Sequence, residues 1–362
     1  MVRVTVPAPA GPYDVTIGAG VIERAHEHLP GFPGAENAFV VSDRAVGTRW
    51  FDPLAAALSK AGLGAVSLGA PEGEEAKSLA VYGALLRQLA TQEAHRDDVV
   101  VALGGGAVGD LAGFVAATYM RGVALVQVPT TLTAQVDAAI GGKTSVNLPE
   151  GKNLAGAFYQ PRAVLADVDT LATLGDRDFG SGLAEVAKYA LTMDAELLAL
   201  LETDPSGVLA RDPAVLEEVV ARCVSAKART VAEDERDAGA RLVLNYGHTL
   251  GHALERLDDF SGRSHGEAIA IGMVFAARVA EALGMAPDGL AARHVRLLAS
   301  LGLEVDRSLP NTGAIGAAFR LDKKYRGGVR FVLLEDVGRP SVVDHVAEDL
   351  VLRILEEMGA AR

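Results

Sequence analysis

The chain has 362 residues, 49% of them hydrophobic, and a formal net charge of -13 at pH 7. That length predicts about two domains, and the acidic balance argues against nucleic acid, which is held mainly by Lys and Arg on phosphates. There is no uninterrupted apolar run of about eighteen residues and no basic, apolar leader, so neither a membrane span nor secretion is expected, and the single Cys223 excludes an internal disulfide and fits a reducing, cytoplasmic compartment.

Val2 to Val6 and Tyr13 to Ile17 read as paired strands joined by a Pro- and Gly-containing turn. Helix and strand patterns then alternate to about Asp167, the signature of an α/β layer with parallel strands. One strand-like run, Ala38 to Asp43, ends on an acid. A second, Val99 to Leu103, is apolar throughout and feeds Gly104-Gly-Gly-Ala-Val-Gly-Asp110 before a helical pattern that runs to Tyr119. Glycines at such a junction let a phosphate reach the backbone N–H groups and the positive end of a helix. Gly104, Gly106 and Gly109 satisfy G-x-G-x-x-G, but the usual fingerprint sits in the first βα turn with an acid about twenty residues later. Here strand-like runs precede the glycines and the candidate ribose acid is the earlier Asp43, so a dinucleotide site with a different strand order is expected.

Arg121, Val128-Pro-Thr-Thr131, Asp137, Gly141-Gly-Lys-Thr144 and Gly151-Lys-Asn153 follow. One lysine in a glycine-flanked turn reads as a solvated loop residue. Lys143 and Lys152 together with Arg121, in an acidic chain, predict a local site for phosphate or carboxylate. From about Leu171 helical patterns dominate, with polar turns at 204–206, 258–264 and 306–312 and one late strand, Val329 to Leu334, as the exception. Glu185 and Lys188 lie at i, i+3 in a helical segment, where an ordinary surface ion pair is the simplest reading. Three of the eight histidines gather downstream: His248 and His252 share a helix face, and His265 follows a short polar connection that can fold back on them. Three such side chains suit a divalent metal, with Glu185 as the carboxylate that completes the set. The division expected is 1–170 and 171–362, with an active cleft between the two parts.

The segments GGGAVGD, VPTTL, VDAAIGGKT, GKNLAGAFYQP, GLAEVAKY, LNYGHTLGHALE and SHGEA, in this order, resemble the 3-dehydroquinate synthase family over nearly the whole chain. The resemblance implies an α/β fold, an N-terminal Rossmann-like parallel-sheet domain followed by a mainly α-helical metal- and substrate-binding domain. It assigns zinc to Glu185, His248 and His265, a donor set that favours zinc and that cobalt would also fit, and turns His252 into a substrate contact. Substrate and catalytic positions carried over are Arg121, Asp137, Lys143, Lys152, Asn153, Lys188, Lys227, Arg241, Asn245, His252 and Lys323, with Lys324 as the alternative to Lys323. The NAD contacts implied are Asp43, Glu74, Lys77, Gly106, Ala107, Val108, Gly109, Asp110, Thr130, Thr131, Lys143, Lys152, Thr170, Leu171, Ala172 and Thr173. One departure is visible, Asp237 where the family has Glu, which shortens the reach of that carboxylate.

The reaction implied is conversion of an anionic sugar phosphate, 3-deoxy-D-arabino-heptulosonate 7-phosphate, to 3-dehydroquinate and phosphate. A ketone formed transiently beside the reacting carbon acidifies its proton; NAD and the metal serve that step, and the hydride returns after phosphate has left. A homodimer is implied as well. Competing readings are another sugar phosphate cyclase, an NAD-dependent polyol dehydrogenase of the glycerol or iron-dependent type, and a non-catalytic NAD-binding protein.

Overall fold

Strands rich in Val and Ala and buried on both faces need helices on both sides, and the chain supplies them in alternation. In the computed structural model, which describes residues 1–236, 239–258, 262–306, 308–320 and 329–362, the elements run β1 (Val2–Val6), β2 (Tyr13–Gly18), β3 (Asn37–Asp43), α1 (Arg44–Lys60), β4 (Gly64–Ala70), α2 (Leu79–Thr91), β5 (Val99–Gly104), α3 (Gly106–Thr118) and β6 (Ala124–Pro129). Next come β7 (Lys143–Leu148), β8 (Gly151–Phe158), β9 (Ala163–Asp167), α4 (Asp176–Thr192), α5 (Ala195–Thr203), α6 (Ser206–Leu209) and α7 (Pro213–Glu233). The last elements are α8 (His248–Leu257), α9 (His265–Ala282), α10 (Leu290–Ser300), α11 (Thr312–Arg320), β10 (Val329–Asp336), β11 (Arg339–Val346) and α12 (Glu348–Glu357). Among the described residues no helix is long and apolar enough to cross a membrane.

Two units divide the chain: Met1–Leu174 with Arg211–Arg236, and Gly175–Ala210 with Asp237–Arg362. The first is built on a seven-stranded sheet in the order β1-β2-β9-β6-β5-β3-β4. Only β1 and β2 pair antiparallel; the other neighbours are parallel. Alternation with period two sends Phe39, Val41, Val100 and Ala102 into one core with α2 and α3, and Ala38, Val40, Val99, Val101 and Leu103 into the other with α1. Each fully buried Val or Leu stabilises by about 1.5–3 kcal/mol relative to exposure. The helix α7 packs on β1 and β2, which is why 211–236 belongs to this unit; the sequence division at 170 makes no provision for it.

Strand order reverses between β3 and β5, the place where open α/β sheets bind ligands at their carboxyl ends. The last paired residues there, Val41 and Ala102, stand two positions before Asp43 and Gly104. The expected change of strand order is therefore present, with the acid and the glycine turn on neighbouring strands. The second unit is mainly helical, α4 to α6 and α8 to α12, with the hairpin β10–β11 added. The helix α9 is its centre, with Ala268 to Ala277 buried without a break.

Candidate active site

In the second unit the buried middle of α4 presents Glu185 to the start of α8 and the start of α9. Glu185 Oε1 lies 3.0 Å from His265 Nε2 and 3.5 Å from His248 Nε2, and one ligand atom from each residue falls within 4.8 Å of the others. His265 is the first residue of α9, not part of a preceding turn. A capping box fixes that start: Ser264 Oγ accepts from the Glu267 N–H at 3.2 Å, and Glu267 Oε2 accepts from the Ser264 N–H at 2.6 Å. Gly266 allows the approach to α4, because a Cβ there would lie 2.3 Å from Ser181 Cα.

His252 stands beside this set but outside it, its ring centroid 5.3 Å from that of His248 and 6.4 Å from that of His265. The i, i+4 pair thus brings two imidazoles to one face, and the three convergent donors are Glu185, His248 and His265. Glu185 and Lys188 are no surface pair: Nζ and Oε2 are 2.5 Å apart, with side chains 1% and 2% exposed. Burial alone would raise the Glu185 carboxyl, but the Lys188 ammonium and the two imidazoles hold it well below the usual carboxylate range.

Each imidazole is aimed from its far side. His248 Nδ1 is 3.0 Å from the Tyr246 carbonyl oxygen; a carbonyl only accepts, so Nδ1 carries the proton and Nε2 is left free for a metal. His265 Nδ1 is 3.4 Å from Glu255 Oε2. Burial would lower the His265 imidazole, yet its bonds to Glu185 and Glu255 push it up to about 10. One carboxylate and two imidazoles, each backed by an oxygen, suit a zinc-type site with an open position. Sequence reasoning passed over Glu255, although it sits seven residues after His248 on the same helix, two turns along the same face. Replacing it by Gln is expected to weaken divalent-metal affinity about 10–100-fold while the fold is kept; chelator competition with cobalt measures this, and an unchanged affinity removes Glu255 from the site.

Arg241 is buried in the turn Ala240–Asn245, and Asn245 Nδ2 donates to the Leu242 carbonyl at 3.0 Å. Lys323, its alternative Lys324, and Asp237 lie outside the described residues.

In the first unit, Gly105 starts α3 without a side-chain cap, so the first N–H groups of the helix face outward for an anion. Lys77 Nζ reaches Asp110 Oδ2 at 2.6 Å and also Asn153 Oδ1, and lies 3.9 Å from Glu74. Burial raises the Asp110 carboxyl despite this ammonium. Lys143 and Lys152 are not in turns but on the strands β7 and β8 of a separate hairpin. Asn153 adopts φ 56, held by its N–H to Asn147 Oδ1 at 2.9 Å. Gly113 lets α3 meet that hairpin, since a Cβ would lie 2.4 Å from Thr144 Cγ2. Arg121 is exposed on a run of positive φ from Met120 to Gly122.

Asp137 sits in a π-helical turn, Ala134–Ala138, a form frequent at functional sites. Its carboxylate is 2.8 Å from Lys227 Nζ, so Lys227 on α7 belongs with the sheet unit. Thr130 is buried at the end of β6, and Thr131 Oγ1 accepts from the Ala134 N–H at 3.2 Å. Thr170 donates to the Asp167 carbonyl at 2.7 Å and Thr173 to the Thr170 carbonyl at 3.2 Å. Arg211 braces the same segment through the Leu171 and Leu174 carbonyls at 3.0 and 2.6 Å. The structure thus gathers Glu74, Lys77, Asp110 and Asn153 in one cluster and Asp137 with Lys227 in another.

A parallel sheet with a glycine turn at its reversal, joined in sequence to a helical unit with a Glu-His-His centre, is the architecture of sugar-phosphate carbocycle synthases. A 2-deoxy-scyllo-inosose synthase, solved in complex with carbaglucose-6-phosphate, NAD+ and Co2+, is 28% identical with a TM-score of 0.88, covering 98% of this chain and 100% of that one. A 2-epi-5-epi-valiolone synthase from Streptomyces hygroscopicus, solved with NAD+ and Zn2+, is 26% identical with a TM-score of 0.87, covering 99% of both chains. An iron-containing alcohol dehydrogenase from Thermotoga maritima, 16% identical with a TM-score of 0.66 over 96% of this chain and 97% of its own, shares the fold alone. The N-terminal profile of 3-dehydroquinate synthases matches residues 67–181 and the C-terminal profile residues 182–325. The 3-dehydroquinate synthase of Pelobacter propionicus is 45% identical over 340 residues, 94% of this chain and 95% of its own. The chain belongs to the 3-dehydroquinate synthase family.

Proposed function

We propose that the chain catalyses the reaction of its family, conversion of 3-deoxy-D-arabino-heptulosonate 7-phosphate to 3-dehydroquinate and phosphate, in the cytoplasm and as a homodimer. The observation that carries this reading is the convergence of Glu185, His248 and His265 within 4.8 Å, which a non-catalytic dinucleotide-binding protein has no use for. Glu185, His248 and His265 would hold a zinc or cobalt ion, and Asp43, Glu74, Lys77, the turn Gly106 to Asp110, Thr130, Thr131 and the segment Thr170 to Thr173 would hold NAD. When bound, NAD supplies a reversible hydride store and the metal stabilises negative charge on an alcohol oxygen.

The remaining roles fall to side chains of this protein. Lys152, Asn153, His252 and Arg121 meet the phosphate, as charge-assisted donors do. Lys143 belongs with them or with the cofactor. Asp137 and Lys227, already paired at 2.8 Å, orient a hydroxyl and keep the ammonium in place. Lys188 and the buried Arg241 neutralise the carboxylate end, the planar guanidinium suiting bidentate recognition. Asn245 and Lys323, or Lys324 in its place, complete the substrate contacts. The departing phosphate dianion would itself take the neighbouring proton.

Two solved relatives are synthases of other carbocycles, at 28% and 26% identity, while the 45% identical relative is a 3-dehydroquinate synthase. Product analysis separates these. Purified protein with NAD and zinc is expected to turn over the 3-deoxyheptulosonate phosphate at least a hundredfold better, in kcat/KM, than a hexose 6-phosphate or another heptulose 7-phosphate, a gap of about 3 kcal/mol. Comparable turnover of one of those sugars would replace this reading by that of another cyclase.

A further inference from the structure

A histidine with no exposure at all needs both ring nitrogens satisfied, or its burial costs several kcal/mol. His294 on α10 meets that demand in a specific way. Its Nδ1 lies 2.8 Å from the Leu290 carbonyl oxygen, which only accepts, so Nδ1 carries the proton. Nε2 therefore carries no proton and accepts a hydrogen bond from the Tyr246 hydroxyl at 2.8 Å. Burial, opposed by the bond to Leu290, lowers this imidazole to about 4, which keeps it a neutral acceptor throughout the physiological range.

Tyr246 is wholly buried and its hydroxyl also stands 3.3 Å from the Met273 carbonyl. The other end of the same residue supplies the carbonyl that receives His248 Nδ1–H at 3.0 Å. Between them Gly247, at φ 77, is pressed onto α9: a Cβ there would lie 2.6 Å from Met273 Cγ and 2.8 Å from the Ile269 carbonyl. Its own carbonyl fills the space over Gly272, where a Cβ would lie 1.9 Å away. The Tyr246–His248 backbone can hardly turn without displacing α9, and the Tyr246 ring, whose hydroxyl is held by His294, anchors it from another side. An apolar pair of similar volume would fill this space at lower desolvation cost, so the hydrogen-bonded pair does more than fill it.

We propose that His294 is a positioning residue of the metal centre, acting through Tyr246 to aim His248 Nε2 at the ion. This rests on the reading of Glu185, His248 and His265 as metal ligands. His294 is not among the proposed substrate or cofactor contacts. Its effect passes from α10 to the ring of Tyr246, from that ring to its carbonyl, and from the carbonyl to the tautomer and tilt of one ligand.

The test uses cobalt as probe, because its visible absorption reports ligand geometry, and compares His294→Leu, His294→Gln, Tyr246→Phe and the double variant His294→Leu/Tyr246→Phe with the unaltered protein. Cobalt affinity by chelator competition should fall about tenfold in His294→Leu and in Tyr246→Phe, with an altered visible spectrum. The double variant should lose no more than either single one, since both break the same link. His294→Gln, whose amide oxygen can accept from the Tyr246 hydroxyl, should recover most of the affinity and the spectrum, and it carries the test should His294→Leu not fold. A His294→Leu or Tyr246→Phe protein with lowered melting temperature but unchanged cobalt affinity and spectrum would make the pair a core feature only and overturn the proposal. Unaltered protein that binds no cobalt would overturn the ligand assignment itself, and this proposal with it.

Discussion

His265→Ala is expected to lose tight metal binding and turnover together. The imidazole gives its Nε2 to the site 3.0 Å from Glu185 Oε1, and it stands at a helix start that the capping box of Ser264 and Glu267 maintains without it. Four-ligand zinc sites bind with about 10–16 kcal/mol, so one ligand accounts for about 3–4 kcal/mol, a loss of hundreds-fold in affinity. Metal content after dialysis and steady-state rate measure the two effects. Full metal content with normal activity in this variant would remove His265 from the centre.

A second large effect is expected in stability, without metal. Lys188 Nζ is 2.5 Å from Glu185 Oε2, and both side chains are almost wholly buried. Breaking such a pair from one side costs up to about 3–5 kcal/mol, here offset in part because the His248 and His265 imidazoles still face the Glu185 carboxylate. Lys188→Met should therefore unfold at markedly lower urea in the metal-free protein. Saturating zinc should restore part of the loss, because an ion bound only by the folded state stabilises it by mass action and replaces the missing positive charge. Equal unfolding midpoints for the variant and the unaltered protein, both metal-free, would show that the ammonium does not compensate Glu185.

Much of the site was legible because its chemistry is local in sequence. The unbroken apolar run Val99 to Leu103 and the glycines after it specify a buried strand and an uncapped helix start, and Asp43 follows from the end of a neighbouring apolar run. The spacing of His248 and His252 puts both on one face, but spacing cannot say which of the two meets Glu185; the tertiary convergence decides for His248, and Gly266 lets the start of α9, with His265, come against α4. The ion pair of Glu185 and Lys188 has the spacing of a surface pair, and only tertiary burial makes it an internal one. Glycines flank Lys143 and Lys152 as they do turn residues, whereas cross-strand pairing, a non-local property, makes them part of a hairpin. The segment 211–236 has a helical pattern like its neighbours, and nothing in that pattern reveals that its apolar face packs on β1 and β2. Glu255 and His294 act on the site from behind, at separations that sequence spacing reveals for the first and not for the second.

Oxidation in the family's reaction is transient. A net dehydrogenase releases one reduced cofactor per turnover, whereas an elimination assisted by a temporary ketone takes its hydride back before product leaves. The direct measurement follows phosphate and reduced-cofactor absorbance together, with enzyme, zinc, excess heptulosonate phosphate and an amount of NAD comparable to enzyme. Phosphate release should run for many turnovers per NAD while the absorbance of NADH stays flat. NADH rising in step with substrate consumption would exclude transient oxidation and make the protein a polyol dehydrogenase.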